Sequence, residues 1–183
     1  MMNNKGKLTK PLYFTTTTVV DWVDIFTRPR YRHIVLESLA YCQAKKGLNV
    51  YAWVLMSNHL HMIVDVSGEC SLSDVFRDFK KFTSKRIFAE LTADEHESRR
   101  PWLLHRFCFA AAVSSRIKDF RFWQEGNYVE ELWTTEFLQQ KVNYIHMNPV
   151  RQEIVARPEE YLYSSAVDYA GGQGLLGNVV VLR

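Results

Sequence analysis

Residues 50–66 read VYAWVLMSNHLHMIVDV. Two apolar runs flank the polar pair Ser57-Asn58, and this pattern predicts two adjacent buried strands joined by a tight turn. The second strand begins with His59 and His61. Residues two apart on a strand project from the same face, so we expect both imidazoles to point one way. Such a pair can bind one metal ion or serve a purely structural role.

The composition is that of an ordinary globular protein. The chain has 183 residues, of which 47% are hydrophobic and 14% aromatic, and its formal net charge is +3. One domain with a sizeable core fits these values, and the charge is only a mild indication of an anionic partner. The three cysteines fit no metal-ligand spacing, and no stretch resembles a secretory signal or a membrane span. We therefore expect a cytoplasmic protein with reduced thiols.

The elements around the central hairpin predict the fold class. Their order, β-α-β-β-α-β-α, is typical of an α+β, ferredoxin-like split βαβ fold, with a central antiparallel sheet and helices packed on one face. The other predicted elements are a strand at 11–20, helices at 31–46, 72–91 and 102–118, a strand or strand pair within 120–133, and a last helix from Thr134 or Thr135 to about Met147, which Asn148-Pro149 ends or bends.

The chain is expected to divide into three parts. Residues 1–10 are polar and predict a flexible arm, whereas residues 11–170 hold every predicted element of a single domain. Residues 171–183 are rich in glycine and predict a C-terminal tail.

The helix expected at 72–91 has a cationic face formed by Arg77, Lys80, Lys81 and Lys85. Such a face is either a solvated side of an amphipathic helix or a surface that follows a nucleic-acid backbone. The sequence favours neither interpretation over the other.

A second group of polar residues lies in the expected last helix. Tyr144 and Asn148 are four residues apart, so they share one helix face. A tyrosine beside a divalent metal ion can attack phosphorus and form a covalent phosphotyrosine, although a tyrosine on an amphipathic helix is commonly a core or surface residue. His146 lies on another face and is interpreted as a structural residue or a DNA contact, not as a metal ligand.

Two motifs together resemble a known family. The segments WVLMSNHLH (53–61) and YIHMNPV (144–150) resemble the single-tyrosine HUH transposases, and in particular the REP-associated tyrosine transposases. The segments FWQ (122–124) and YSSA (163–166) resemble the same group. The resemblance implies a transposase that is a metal-dependent endonuclease and strand transferase for single-stranded DNA.

The resemblance also implies a role for each motif residue. His59 and His61 bind the metal ion, Asn148 completes the metal site, and Tyr144 forms the 5′-phosphotyrosine link. The implied cofactor is a divalent ion, Mg²⁺ or Mn²⁺. The implied partner is single-stranded or hairpin DNA, which places the protein on the nucleoid when DNA is bound. Both a homodimer and a monomer fit the family.

Two alternatives remain open on the same sheet. A catalytically inactive nucleic-acid-binding protein needs the aromatic and basic residues but not a tyrosine beside the histidine pair. A hydrolase that uses water in place of Tyr144 leaves no covalent adduct. Convergence of Tyr144 and Asn148 on the two imidazoles distinguishes the first alternative from a transposase.

Overall fold

The structure is a computed structural model that describes residues 7–113 and 119–182. Its elements are β1 (Lys7–Thr18), α1 (Pro29–Lys46), β2 (Leu48–Leu55), β3 (His59–Val66), α2 (Leu72–Ala93), α3 (Arg100–Ala112), β4 (Tyr128–Thr134), α4 (Thr135–Arg151) and α5 (Ala166–Tyr169). Short 3₁₀ turns follow β1 at Val20–Trp22 and Ile25–Thr27, and another lies at Pro158–Glu160. Within the described ranges, no helix is long and apolar enough to cross a membrane.

The four strands form one sheet in the order β2-β3-β1-β4. Every neighbouring pair is antiparallel. Helices α1 and α2 are the two crossovers of the split βαβ arrangement, and they pack against each other. The predicted fold class is therefore confirmed, and β2 and β3 lie where the two apolar runs predicted strands.

Both faces of β3 are covered. Leu60 and Met62 are buried on one face, whereas His59 and His61 are buried on the other. Helix α4 covers the histidine face, where its residue Tyr144 contacts His61. The sequence predicted this helix, and the structure places it over the histidine face.

Several predicted boundaries need correction. Strand β1 begins at Lys7, so residues 7–10 belong to the sheet and not to a flexible arm, while residues 1–6 lie outside the described ranges. The helix expected at 102–118 begins at Arg100 and ends at Ala112, and residues 114–118 lie outside the described ranges. Of the possible strand pair within 120–133, only β4 forms a strand, whereas the buried Trp123 makes a single antiparallel bridge to Val19.

Helix α4 does not end at Asn148-Pro149. It continues to Arg151, with Pro149 inside its last turn. A proline in a last turn removes a single backbone donor. The backbone N–H of Gln152 donates to the Asn148 carbonyl and that of Ile154 to the Pro149 carbonyl, so the helix end remains hydrogen-bonded.

The C-terminal segment covers the outer edge of β2. Leu55 donates its N–H to the Tyr163 carbonyl, and Val180 donates its N–H to the Val50 carbonyl. Leu176 is also buried. Part of the expected glycine-rich tail is therefore ordered against the domain, and its residues Val179 and Val180 pair with the exposed edge of β2.

Gly47 ends α1 as predicted, in a left-handed conformation with φ of 68°. A Cβ atom at this position would overlap the backbone carbonyl oxygen of Ser67. We expect Gly47→Ala to lower the free energy of unfolding by about 3 kcal/mol, from left-handed strain plus this overlap. Urea unfolding measures the loss. Gly126→Ala is the matched control, because the φ of Gly126 is 72° but a Cβ atom there would meet nothing within 4 Å. The free energy of unfolding of this variant should fall by only about 1–2 kcal/mol.

Candidate active site

The two predicted histidines lie side by side at the start of β3. Their ring centroids are 4.6 Å apart, and the residues are only 7% and 6% exposed. His59 Nδ1 is 2.7 Å from Asn58 Oδ1, and His61 Nδ1 is 2.8 Å from Thr16 Oγ1. An amide oxygen only accepts hydrogen bonds, so His59 Nδ1 donates and its Nε2 keeps a free lone pair. Ligand histidines in metal sites are oriented in this way.

Both imidazoles are neutral at physiological pH. Burial lowers the pKa of His59 to about 4. Burial, with smaller contributions from His59 and Lys141, lowers the pKa of His61 to about 3. A neutral imidazole is the form that binds a metal ion.

Tyr144 lies directly beside this pair. Its ring centroid is 5.4 Å from that of His61 and 5.9 Å from that of Phe14, which itself stacks on His61 at 5.5 Å. Tyr144 remains 37% exposed, so part of the residue is accessible to a ligand. Asn148 lies one helical turn further along α4 and is buried. Helix α4 is fixed at its start by Thr134, whose hydroxyl oxygen accepts from the Phe137 N–H.

The donor set fits a divalent metal ion. Two neutral imidazoles, from His59 and His61, and the amide oxygen of Asn148 make a mixed nitrogen and oxygen set. Over residues 7–113 and 119–182, no cluster of three His, Cys, Asp or Glu side chains exists that could hold a metal. Asn148 stays the predicted third ligand, and it is buried on the helix that carries Tyr144.

Two cations beside Tyr144 were missed from the sequence. Lys141 Nζ lies 4.5 Å from the centroid of Phe14 and pairs with Glu130 at 2.6 Å. Arg151 Cζ lies 5.6 Å from the centroid of Tyr144. Lys141 lies three residues before Tyr144 and Arg151 lies seven residues after it, so the three residues share one face of the helix. This spacing was the available signal, and it places both cations on the helix face that carries Tyr144.

The four basic residues of α2 are not equivalent. Arg77 pairs with Asp74 at 2.5 Å and with Asp78 at 3.2 Å. Lys80 donates to the carbonyl of Gln124 at 3.1 Å and to that of Gly126, and burial lowers its pKa to about 8. Two of the four cations thus have partners within the chain.

Lys81 and Lys85 are exposed. Helix α2 packs with α1. DNA binding by the four residues Arg77, Lys80, Lys81 and Lys85 stays a prediction.

His146 anchors the helix that carries Tyr144. Its Nε2 is 2.8 Å from Ser165 Oγ, and this oxygen accepts from the Trp53 N–H at 2.9 Å. Its ring also meets Tyr169, with the centroids 4.8 Å apart. The structural interpretation of His146 therefore fits, since it joins α4 to strand β2 and to the C-terminal segment.

We expect His146→Ala to lower the free energy of unfolding by about 2 kcal/mol and to slow any reaction of Tyr144, because α4 loses a buried hydrogen bond and ring contact. Urea unfolding and a cleavage assay on the same sample measure both effects. His105→Ala is the control, since His105 is exposed on α3. Equal stability of the His146→Ala variant and the wild type would contradict the anchoring role.

Comparison with known proteins gives three findings. A family model described as "Transposase IS200 like" matches residues 21–120, more than half of the 183 residues. A solved REP-associated tyrosine transposase bound to a REP hairpin is similar with a TM-score of 0.59 and 16% identity, covering 100% of this chain and 94% of that one. A candidate transposase from Deinococcus radiodurans R1 gives a TM-score of 0.41 and 16% identity, covering 79% of this chain and 95% of that one. No curated protein sequence matches.

The matched range contains His59 and His61 but ends before Tyr144. The assignment of Tyr144 therefore depends on its position beside His61 in the structure, at 5.4 Å between ring centroids.

Proposed function

Because the chain belongs to the family of IS200-like transposases, we propose that it is a metal-dependent endonuclease and strand transferase that acts on hairpin-containing single-stranded DNA through a 5′-phosphotyrosine intermediate. The observation that carries the proposal is the contact of the Tyr144 ring with His61, the second of two neutral, buried imidazoles. A catalytically inactive nucleic-acid-binding protein has no need of this juxtaposition.

The proposed cofactor is Mg²⁺ or Mn²⁺. His59, His61 and Asn148 would hold it, with the imidazole orientations fixed by Asn58 and Thr16. When bound, a divalent cation polarises the scissile phosphate and offsets the negative charge of the transition state. Mg²⁺ prefers oxygen ligands and Mn²⁺ accepts imidazole more readily, so the histidine pair leaves both ions as candidates.

Tyr144 acts as the nucleophile in this proposal. Its hydroxyl group loses a proton to solvent as Oη bonds to phosphorus, and the bond from phosphorus to the 3′-oxygen breaks. The released 3′-oxygen takes up a proton, and the 5′-phosphate remains on Tyr144. Attack by the 3′-hydroxyl of a second strand joins the two strands and restores the phenol. Lys141 and Arg151 supply positive charge beside the reacting phosphate.

The proposed substrate is a single strand that contains a hairpin. The solved relative of similar fold is described as bound to a REP hairpin, and the basic residues of α2 suit phosphate contacts outside the site. Lys81 and Lys85 are exposed for this purpose. Arg77 and Lys80 first have to leave their internal partners. Both a monomer and a homodimer are compatible with this function.

One experiment separates the three candidate functions. The protein is incubated with labelled single-stranded hairpin DNA and Mg²⁺ or Mn²⁺, and the products are resolved on a denaturing gel. A protein–DNA adduct that depends on the metal supports the proposal. Binding without cleavage supports an inactive nucleic-acid-binding protein, and cleavage without an adduct supports a hydrolase that uses water.

A further inference from the structure

A row of aromatic rings crosses the sheet through the candidate active site. The centroid distances are 5.9 Å from Trp22 to His59, 4.6 Å from His59 to His61, 5.5 Å from His61 to Phe14 and 6.1 Å from Phe14 to Tyr128. The three central rings are buried, whereas Trp22 is 59% exposed and Tyr128 is 57% exposed. The row therefore ends in a large exposed ring on each side.

Tyr144 lies over the middle of this row. It contacts two of the three central rings, those of His61 and Phe14. A phosphate that reacts at Tyr144 would consequently have an exposed aromatic residue on each side along the sheet.

Trp22 is held in place by a strained turn. Asp21 and Trp22 have φ values of 53° and 55°, in the left-handed region that is costly for residues other than glycine. Asn58 Nδ2 donates to the Trp22 carbonyl at 3.1 Å and to Asp24 Oδ1 at 2.9 Å. Arg106 pairs with the Asp21 carboxylate at 2.5 Å. Strain of this kind persists only when the surroundings impose it, and it concentrates at functional sites.

The same Asn58 also orients His59, through Oδ1. One side chain thus fixes both a candidate metal ligand and the turn that presents the exposed indole. These contacts fix the turn, and they leave the indole of Trp22 59% exposed, so that its ring can meet a ligand.

We propose that Trp22 and Tyr128 are base-stacking platforms for the unpaired nucleotides on the two sides of the reacting phosphate. This inference rests on the proposed function, because it takes a single DNA strand as the ligand. Every base has an aromatic face, so stacking on such residues tolerates different sequences and contributes strongly to single-strand binding. The hydroxyl of Tyr128 already donates to Glu130 Oε2 at 3.2 Å, which leaves the ring face as its contact surface.

The test compares two labelled DNA hairpins, one with unpaired thymidine flanks and one with blunt ends, in the presence of EDTA. We expect Trp22→Ala and Tyr128→Ala each to weaken binding of the flanked hairpin about tenfold. Binding of the blunt hairpin should stay unchanged. Trp22→Phe and Tyr128→Phe keep an aromatic ring and should retain most of the affinity.

Trp133→Ala is the matched control, since Trp133 is 49% exposed and lies one residue beyond Leu132, on the other face of β4. Unchanged affinity of Trp22→Ala and Tyr128→Ala for the flanked hairpin would overturn the inference. So would an equal loss for both hairpins, which indicates damage to the fold. These outcomes are independent of adduct formation, so the inference can fail while the proposed function stands.

Discussion

Replacing Tyr144 with phenylalanine is expected to abolish the covalent protein–DNA adduct while changing the affinity for hairpin DNA by no more than about twofold. The substitution removes one hydroxyl oxygen and keeps the ring, which contacts His61 and Phe14 at 5.4 Å and 5.9 Å. Docking of α4 and the histidine pair should therefore be preserved. A denaturing gel measures the adduct, and fluorescence anisotropy measures binding.

Tyr41→Phe is the matched control for this substitution. Tyr41 is 57% exposed on α1, so its hydroxyl can be removed without a change in the site. The control should form adduct at the wild-type rate. An adduct that persists in Tyr144→Phe would contradict the assignment of the nucleophile. Loss of DNA binding in that variant would mean that the hydroxyl group contributes to DNA binding as well as to the reaction.

The central hairpin was predictable because its local signals agree. Two apolar runs, a polar turn at Ser57-Asn58 and histidines spaced by two residues all predict the same strands and the same faces. The end of α1 was equally clear, since Gly47 adopts the left-handed conformation that its position demands. The structure then brings Tyr144 to His61 across 82 intervening positions, a contact that the spacing of residues on a helix does not specify.

The remaining errors come from contacts that helical periodicity does not encode. Pro149 predicts a helix end, yet α4 continues because its last turn is closed by Gln152 and Ile154. The spacing of Lys80 predicts that it belongs to the cationic face, but its ammonium group donates hydrogen bonds to the loop carbonyls of Gln124 and Gly126. Neither the path of that loop nor the partners of a helix end follow from helical periodicity.

His61→Ala is expected to lower the rate of metal-dependent cleavage about a thousandfold or more, because the site loses one of its two imidazoles. His59→Ala should have a similar effect. The loss is electrostatic in origin, since a cation that is not held at the scissile phosphate cannot offset the charge of the transition state. Adduct formation against Mn²⁺ concentration measures the rate, and calorimetric titration with Mn²⁺ measures the metal affinity directly.

A graded series tests the orientation of the pair. Thr16→Val and Asn58→Ala keep both imidazoles but remove the hydrogen bonds to Nδ1, so each should weaken Mn²⁺ binding about 10–100-fold. His105→Ala, an exposed histidine on α3, should bind Mn²⁺ as the wild type does. EDTA should stop cleavage by the wild type, and added Mn²⁺ should restore it. Removing an imidazole that binds the metal must lower the Mn²⁺ affinity. Unchanged Mn²⁺ affinity in His61→Ala would therefore show that the metal site lies elsewhere.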